Sequence, residues 1–303
     1  MTASLRKLPV LLAGFCVILI SSGCGRLPTK EIIGKSVEGR SIEAITLGNG
    51  PERIWILATI HGNEWAGTPL VERLMSYLKC RPDFLEGKTL VISPIVNPDG
   101  FDRKQRRNIN GIDLNRNFPA KNRQNTERFG MSELSEPESK AMYDFLHRFK
   151  PDRIVTIHQP YSIVDWDGPG LSLAEHMARH TVLPFARVGS QPGSLGAHAG
   201  EDLRIPIITY ELPPDTQKDS PSIIWDRYGR ALLSAIVFPK DVSKWNFYTP
   251  LRPLIFYPAL LILAAAAIVV MMMKRKRVNA SNSPMPAPEI SPLEPDSPSE
   301  PRP

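Results

Sequence analysis

Between Leu254 and Met273 the chain runs "LIFYPALLILAAAAIVVMMM", twenty residues without a charge, and then meets Lys274-Arg275-Lys276-Arg277. A helix of that length is long enough to cross a bilayer, and a basic cluster at the exit of such a span stays on the cytoplasmic side. The sequence therefore predicts a transmembrane helix over 254–273 with the C-terminus inside. Any globular domain is confined to the residues before it and lies outside the cytoplasm. The opposite end agrees. "MTASLRKLPVLLAGFCVILISSGCG" carries Arg6 and Lys7 ahead of a short apolar run and closes on small residues, the layout of an export signal over 1–24.

Part of the net charge of +6 is thus topological, and it does not argue for a nucleic-acid partner. Within the signal, "ISSGC" is similar to the bacterial lipoprotein box, which makes Cys24 a candidate lipid site; an uncleaved anchor helix and ordinary signal cleavage are the other readings. Cys16 lies in the apolar run and Cys80 stands alone, so no disulfide framework is expected in the mature domain. Residues 274–303 combine the basic stop with a Pro- and Ser-rich stretch poor in large apolar groups, expected to be a disordered cytoplasmic tail.

The middle, roughly residues 30–245, reads as alternating strands and helices. "RIWILATI" is a β-branched and aromatic run reaching His61, "GTPLVERLMSYLKC" has helical spacing, and "TLVISPIVNP" is a second buried strand closed by a turn. "SEPESKAMYDFLHRFK" opens with a Ser-x-x-Glu-like helix start and ends at Pro151, ahead of the strand "RIVTIH"; "IPIITYEL" is a further strand. This is an α/β pattern, with polar residues gathered just after strand C-termini, where open sheets place their sites.

His61 and Glu64 stand in "HGNE" after one strand, His158 ends another, and Glu211 ends a third. Two imidazoles and one carboxylate form a known catalytic zinc set that leaves the fourth position open. The stretch "RRNINGIDLNRNFP", Arg106 to Pro119, crowds hydrogen-bond donors into a segment that buries little.

Taken in order, "HGNE", "NPDG", "RRNINGIDLNRNFP", "IVTIH" and "ITYELP" resemble the zinc carboxypeptidase family, the funnelin-type metallocarboxypeptidases, over roughly residues 50–215. Within the family "DLNRNFPA", "LSEPES", "PGSLG" and "ITYELP" are most similar to the murein peptide amidases, which cut between γ-D-glutamate and diaminopimelate in cell-wall peptides. The resemblance implies a single domain with a mixed central sheet flanked by helices and one Zn2+ per chain held by His61, Glu64 and His158. It implies Glu211 as general base, Asn115 and Arg116 as a clamp on the carboxylate of the released residue, and Arg106 as the oxyanion donor, with Arg103 and Arg107 as alternatives for the last role. A planar guanidinium fork beside an amide suits a carboxylate.

Asp113 and Asn117 are read as tying this loop together, and "NPDG" as first of all a turn. The tyrosine that digestive carboxypeptidases carry on a loop before the base is missing from "ARVGSQPGSLGAHAGEDLRIP". His198 in that loop is read as an exposed polar residue. Asp165 and Asp167 are read either as contacts for the free amine of diaminopimelate or as surface turn positions, and His176 with His180 as a solvated helix face rather than a second metal pair. The expected function is a membrane-held zinc metallopeptidase of the bacterial cytoplasmic membrane, facing outward, that acts on a peptidoglycan-derived peptide. A zinc deacylase of small N-acyl amino acids and a non-catalytic peptidoglycan-binding protein are the alternatives.

Overall fold

The computed structural model describes residues 28–242. The chain divides into two units at Phe247 and Tyr248, and the described residues all belong to the first. None of the described helices is long and apolar enough to cross a membrane. The predicted export signal over 1–24, the span over 254–273 and the tail over 274–303 lie outside the described residues.

Seven strands form one mixed sheet: β1 (Thr29–Lys35), β2 (Ser41–Gly48), β3 (Glu52–Ala58), β4 (Lys88–Ser93), β5 (Arg153–His158), β6 (Ile163–Asp167) and β7 (Ile207–Glu211). Their spatial order is β1-β2-β4-β3-β5-β7-β6. The central β4, β3, β5 and β7 run parallel, while β1, β2 and β6 are antiparallel to their neighbours. The expected mixed sheet with helices on its faces is therefore observed. The helices are α1 (Gly67–Cys80), α2 (Pro98–Asp102), α3 (Pro137–Phe149), α4 (Leu171–Ala178) and α5 (Pro221–Val237).

Strand periodicity sorts residues onto two cores. On one face Ile54, Ile56, Val155, Ile157, Ile208 and Tyr210 pack with Leu70, Leu74 and Leu78 of α1 and with α5. Burying each such leucine is worth roughly 1.5–3 kcal/mol, which fixes α1 on this side. On the other face Trp55, Leu57, Ile154 and Ile207 pack with Met142, Phe145 and Leu146 of α3. The same alternation continues toward the strand C-termini, so Thr156, His158, Thr209 and Glu211 also project from this second face. Where the apolar set runs out, the polar set begins, and the site lies there.

One local expectation fails. Ser135 does not cap α3: the N-cap is Glu136, without a side-chain bond, and Pro137 occupies the first turn. Ser135 Oγ instead donates to Glu136 Oε1, while the fully buried Glu138 accepts from Val37 N and Asn108 Nδ2. Tertiary partners have taken both residues that a local capping box would use. "NPDG" forms the short α2, with the Asn97 side chain accepting from Gly100 N in place of a simple turn.

Candidate active site

The C-terminal ends of β3, β5 and β7 lie side by side, with Ala58 paired to Ile157 and His158 to Glu211. The loop after β3 carries His61 and Glu64 back over this edge. It can do so because Gly62 lies against the backbone of α2: a Cβ there would meet Gly100 C at 2.0 Å.

Three ligand-type atoms converge. Glu64 Oε2 lies 2.9 Å from His61 Nδ1 and 2.9 Å from His158 Nδ1, and the two Nδ1 atoms are 3.2 Å apart. All three residues are buried, and they form the one group of three metal-capable side chains among the described residues. Two donors about 2.0–2.1 Å from a tetrahedral zinc lie about 3.3 Å apart, so this donor set and its spacing fit the ion. The outward nitrogen of His61, Nε2, sits 3.0 Å from Asp113 Oδ1, a carboxylate–imidazole contact of the kind that orients metal ligands. Among the described residues His158 Nε2 has no hydrogen-bond partner.

The electrostatics ask for positive charge at this point. Burial opposes a charged His61, yet Glu64 and Asp113 hold its pKa above the ordinary value. Burial likewise works against the ionised Glu64 and Asp113, but neighbouring His61, joined by His158 for Glu64 and Arg106 for Asp113, holds both carboxyls well below their usual range. A divalent cation answers the same demand.

Arg106 bridges the two acids: Nη1 donates to Glu64 Oε1 at 2.6 Å and Nε to Asp113 Oδ2 at 3.1 Å. It remains partly exposed and lines the pocket beside His61. Arg103 is drawn away to Glu38 on the surface, and Arg107 does not line the pocket, so the structure leaves Arg106 as the arginine of the three at the site.

Asn115 and Arg116 occupy a short 3-10 turn, Leu114–Arg116, and both line the pocket. Asp113 caps this turn, accepting from Asn115 N, and Asn117 is bound to Phe129 O, Ser135 Oγ and Glu136 N. The loop-tying reading of Asp113 and Asn117 matches these contacts. Asn115 Oδ1 is taken by Leu195 N, so what its amide has left for a ligand is donors. Burial lowers the pKa of the Arg116 guanidinium, as expected for a cation set into a pocket wall.

Glu211 is buried and accepts from Tyr161 N at 3.4 Å. Burial raises its pKa, His158 pulls the other way, and Glu64 adds to the rise. Gln159 braces the region through Nε2 bonds to Pro213 O and Pro214 O.

Several sequence readings need correction. Of the two readings open for Asp165 and Asp167, the surface-turn one fails: they lie on β6, 6 % and 4 % exposed, and line the pocket. His198 is buried in a π-helical turn, Gly196–Asp202, stacked near Phe118 with its Nε2 3.3 Å from His147 Nε2. His176 is buried edge-on against Phe238, and His180, beyond the end of α4, faces Asp241; the solvated helix face is not observed. Tyr161, missed in the sequence, lines the pocket from the turn after β5 and supplies an aromatic group that the loop before Glu211 lacks. The one sequence hint was its place, three residues past His158.

Comparison with known proteins gives one consistent direction. Residues 19–164 match the family model described as zinc carboxypeptidase, a segment that stops before Glu211. The chain is 34% identical over 177 residues to murein peptide amidase A of Escherichia coli K12, covering 52% of this chain and 70% of that protein. It is 28% identical over 240 residues to gamma-D-glutamyl-L-diamino acid endopeptidase 1 of Lysinibacillus sphaericus, covering 61% and 60%. Among solved structures, the murein-tripeptide amidase of Escherichia coli O157 superposes with a TM-score of 0.52 at 28% identity, over 71% of this chain and 94% of that one.

Proposed function

The chain belongs to the zinc carboxypeptidase family and is a zinc-dependent hydrolase, and from that premise we propose that it cleaves murein peptides at the bond between γ-D-glutamate and meso-diaminopimelate. The observation that carries the reading is one pocket in which the convergent His61–Glu64–His158 cluster, a buried carboxylate and a carboxylate clamp face each other. Likeness to a murein peptide amidase and to a γ-D-glutamyl-L-diamino acid endopeptidase supports the choice of bond.

His61, Glu64 and His158 would hold the zinc. When bound, zinc would supply Lewis-acid polarisation of the scissile carbonyl and would make the attacking water easier to deprotonate. Asn115 and Arg116 fix the free carboxylate of the residue to be released, which places the preceding amide beside Glu211. Glu211 takes the proton of the attacking water and returns it to the leaving amine; its burial-raised pKa moves it toward the working range of such a base. Arg106, held by Asp113, donates to the oxygen on which charge develops, a contribution of about 3 kcal/mol for a preorganised donor. Asp113 keeps His61 in the tautomer that presents Nδ1.

The protein is held at the outer face of the bacterial cytoplasmic membrane by the uncharged segment 254–273, with Cys24 as a second candidate anchor; the segment's length and its basic stop support this.

The test uses the full-length protein in detergent with L-Ala-γ-D-Glu-meso-diaminopimelate. Release of free diaminopimelate is expected, abolished by a chelator and restored by zinc. No release by zinc-loaded protein overturns the reading.

A further inference from the structure

The carboxylate clamp is held from behind by a side chain that does not line the pocket. Arg123 lies just past the clamp in the chain, in a turn closed by its own N donating to Ala120 O at 2.9 Å. Its half-buried guanidinium meets backbone carbonyls: Nη1 donates to Arg116 O at 2.8 Å, Nη2 to Gly130 O at 2.7 Å, and both nitrogens reach Phe129 O at 3.4 Å. No carboxylate of the described residues pairs with it; burial lowers its pKa, and Glu133 opposes the shift. A cation taken out of water without an anion is costly. What this one supplies is geometry, because a planar fork fixes the relative positions of the carbonyls it binds.

Those carbonyls belong to the residues that set the direction of the Arg116 side chain. One is Arg116 itself. Another is Phe129, whose ring centre lies 6.0 Å from the Arg116 guanidinium carbon, at the limit of a cation–π contact. Arg123 therefore grips both the backbone from which that guanidinium springs and the backbone of the ring against which it rests. On its far side Arg116 O faces Gly193, which has φ +67° and lies so close that a Cβ would meet the oxygen at 2.3 Å. Asn122, next to Arg123, ties down this second segment: its Oδ1 accepts from Gly193 N at 3.1 Å and its Nδ2 donates to Ser190 O at 3.3 Å. With Leu195 N on Asn115 Oδ1 at 2.9 Å, both clamp residues are fixed against the pocket wall. Within this set Arg123 is the side chain that binds the Arg116 carbonyl, so its removal frees Arg116 without taking anything from the pocket.

We propose that Arg123 is a positioning residue for the clamp: by holding the Arg116, Phe129 and Gly130 carbonyls in one fork, it aims the Arg116 guanidinium at the carboxylate of the residue released. This rests on the reading that Asn115 and Arg116 take that carboxylate. Lysine does not substitute, because one ammonium on a flexible stem cannot hold the carbonyls of two chain segments in a fixed plane. Loss of the fork leaves the Arg116 charge in the pocket and the zinc cluster untouched. What goes is the aligned, charge-assisted pairing that tells a carboxylate from a neutral amide.

The test is calorimetric titration of the zinc-loaded full-length protein with meso-diaminopimelate and with its monoamide, neutral at the carboxyl beside the amine that cleavage frees. The unaltered protein is expected to bind the acid at least about tenfold more tightly than the monoamide. Arg123→Ala and Arg123→Lys are each expected to bring the two ligands within about threefold of one another at unchanged zinc content, as is Arg116→Ala. Should Arg123→Ala not fold, Arg123→Lys carries the test. A merely structural role would weaken both ligands alike and leave their ratio intact, so a tenfold preference retained in a folded Arg123 variant overturns the proposal. Equal binding of the two ligands by the unaltered protein overturns the clamp and this role together. Tripeptide cleavage with the preference retained in the Arg123 variants leaves the peptidase reading standing and this one fallen. A preference that those variants erase, without tripeptide cleavage, does the reverse.

Discussion

Asp99 and Asp167 are both buried aspartates, 0 % and 4 % exposed, yet the molecule treats them in opposite ways. Asp99, in α2, accepts from Ser36 Oγ at 2.8 Å, Glu38 N at 3.0 Å and Arg40 Nη1 at 2.5 Å, and so fastens the β1–β2 turn to the body of the domain. Its charge is answered from within the chain. Asp167, at the inner end of the pocket, has a hydroxyl and two acidic neighbours, and the nearby cation, Arg187, is paired with Glu201. Asp113 and Glu64 resemble Asp99 in having Arg106, and they differ from it in that their imidazole partner belongs to the metal cluster. The lesson is that a buried acid whose partners all lie in the fold is structural, while one left short of positive charge is waiting for something that arrives.

Substitutions at these acids can break or sharpen that contrast. The largest effect is expected at Glu211, whose proposed role as base needs a titrating group: Glu211→Gln should lower kcat by at least about 10³-fold while zinc content stays at the level of the unaltered protein. A rate within tenfold of the original would assign the base elsewhere. Asp113→Asn comes next. It keeps the shape but weakens the hold on His61, so zinc affinity should fall about 10–100-fold, read by competition with a chromophoric chelator. Asp99→Ala should leave zinc affinity and turnover intact while unfolding occurs about 2–3 kcal/mol more easily in denaturant, because three donors lose their acceptor.

The smallest effect has the opposite sign. Burial pushes the Asp167 carboxyl up to about 6 from an ordinary value of 3.8, so the native state binds more protons between those values. Stability attributable to this group is present below about pH 4 and is lost as pH rises through about 6. Asp165 and Glu201, which face it, push in the same direction, and the Ser190 hydroxyl and Arg187 oppose them. Asp167→Asn should therefore stabilise the protein by on the order of 1–2 kcal/mol at pH 7.5 and by nothing measurable at pH 4. A variant less stable at pH 7.5 would place Asp167 with Asp99.

Much of this was legible in the sequence, for a physical reason. The bounds of α1 and β5 coincide with "GTPLVERLMSYLKC" and "RIVTIH" because each segment's apolar period matches a face that the fold buries. His61, Glu64, His158 and Glu211 stood out as candidates because polar residues at or just after the ends of apolar strands have no packing role, and the family resemblance supplied their expected roles. What the letters could not carry were contacts between distant segments. His176 is covered by Phe238 and His198 by Phe118 and Tyr143, so both read as exposed when seen alone. For "IVDWDGPG" a surface-turn reading stayed open beside a pocket reading because Gly168 and Pro169 close the segment; pairing with β7 and burial place its aspartates inward. The Ser135–Glu138 helix start was outbid by Asn108 and Asn117, which lie far upstream.

The central claim is that segments about a hundred residues apart converge on one zinc ion. Elemental analysis of the purified full-length protein tests it most directly, with His158→Ala and Glu211→Gln measured alongside. One zinc per chain is predicted in the unaltered protein and in Glu211→Gln, and a substoichiometric trace in His158→Ala. Full zinc occupancy in His158→Ala, or none in active unaltered protein, would contradict the account.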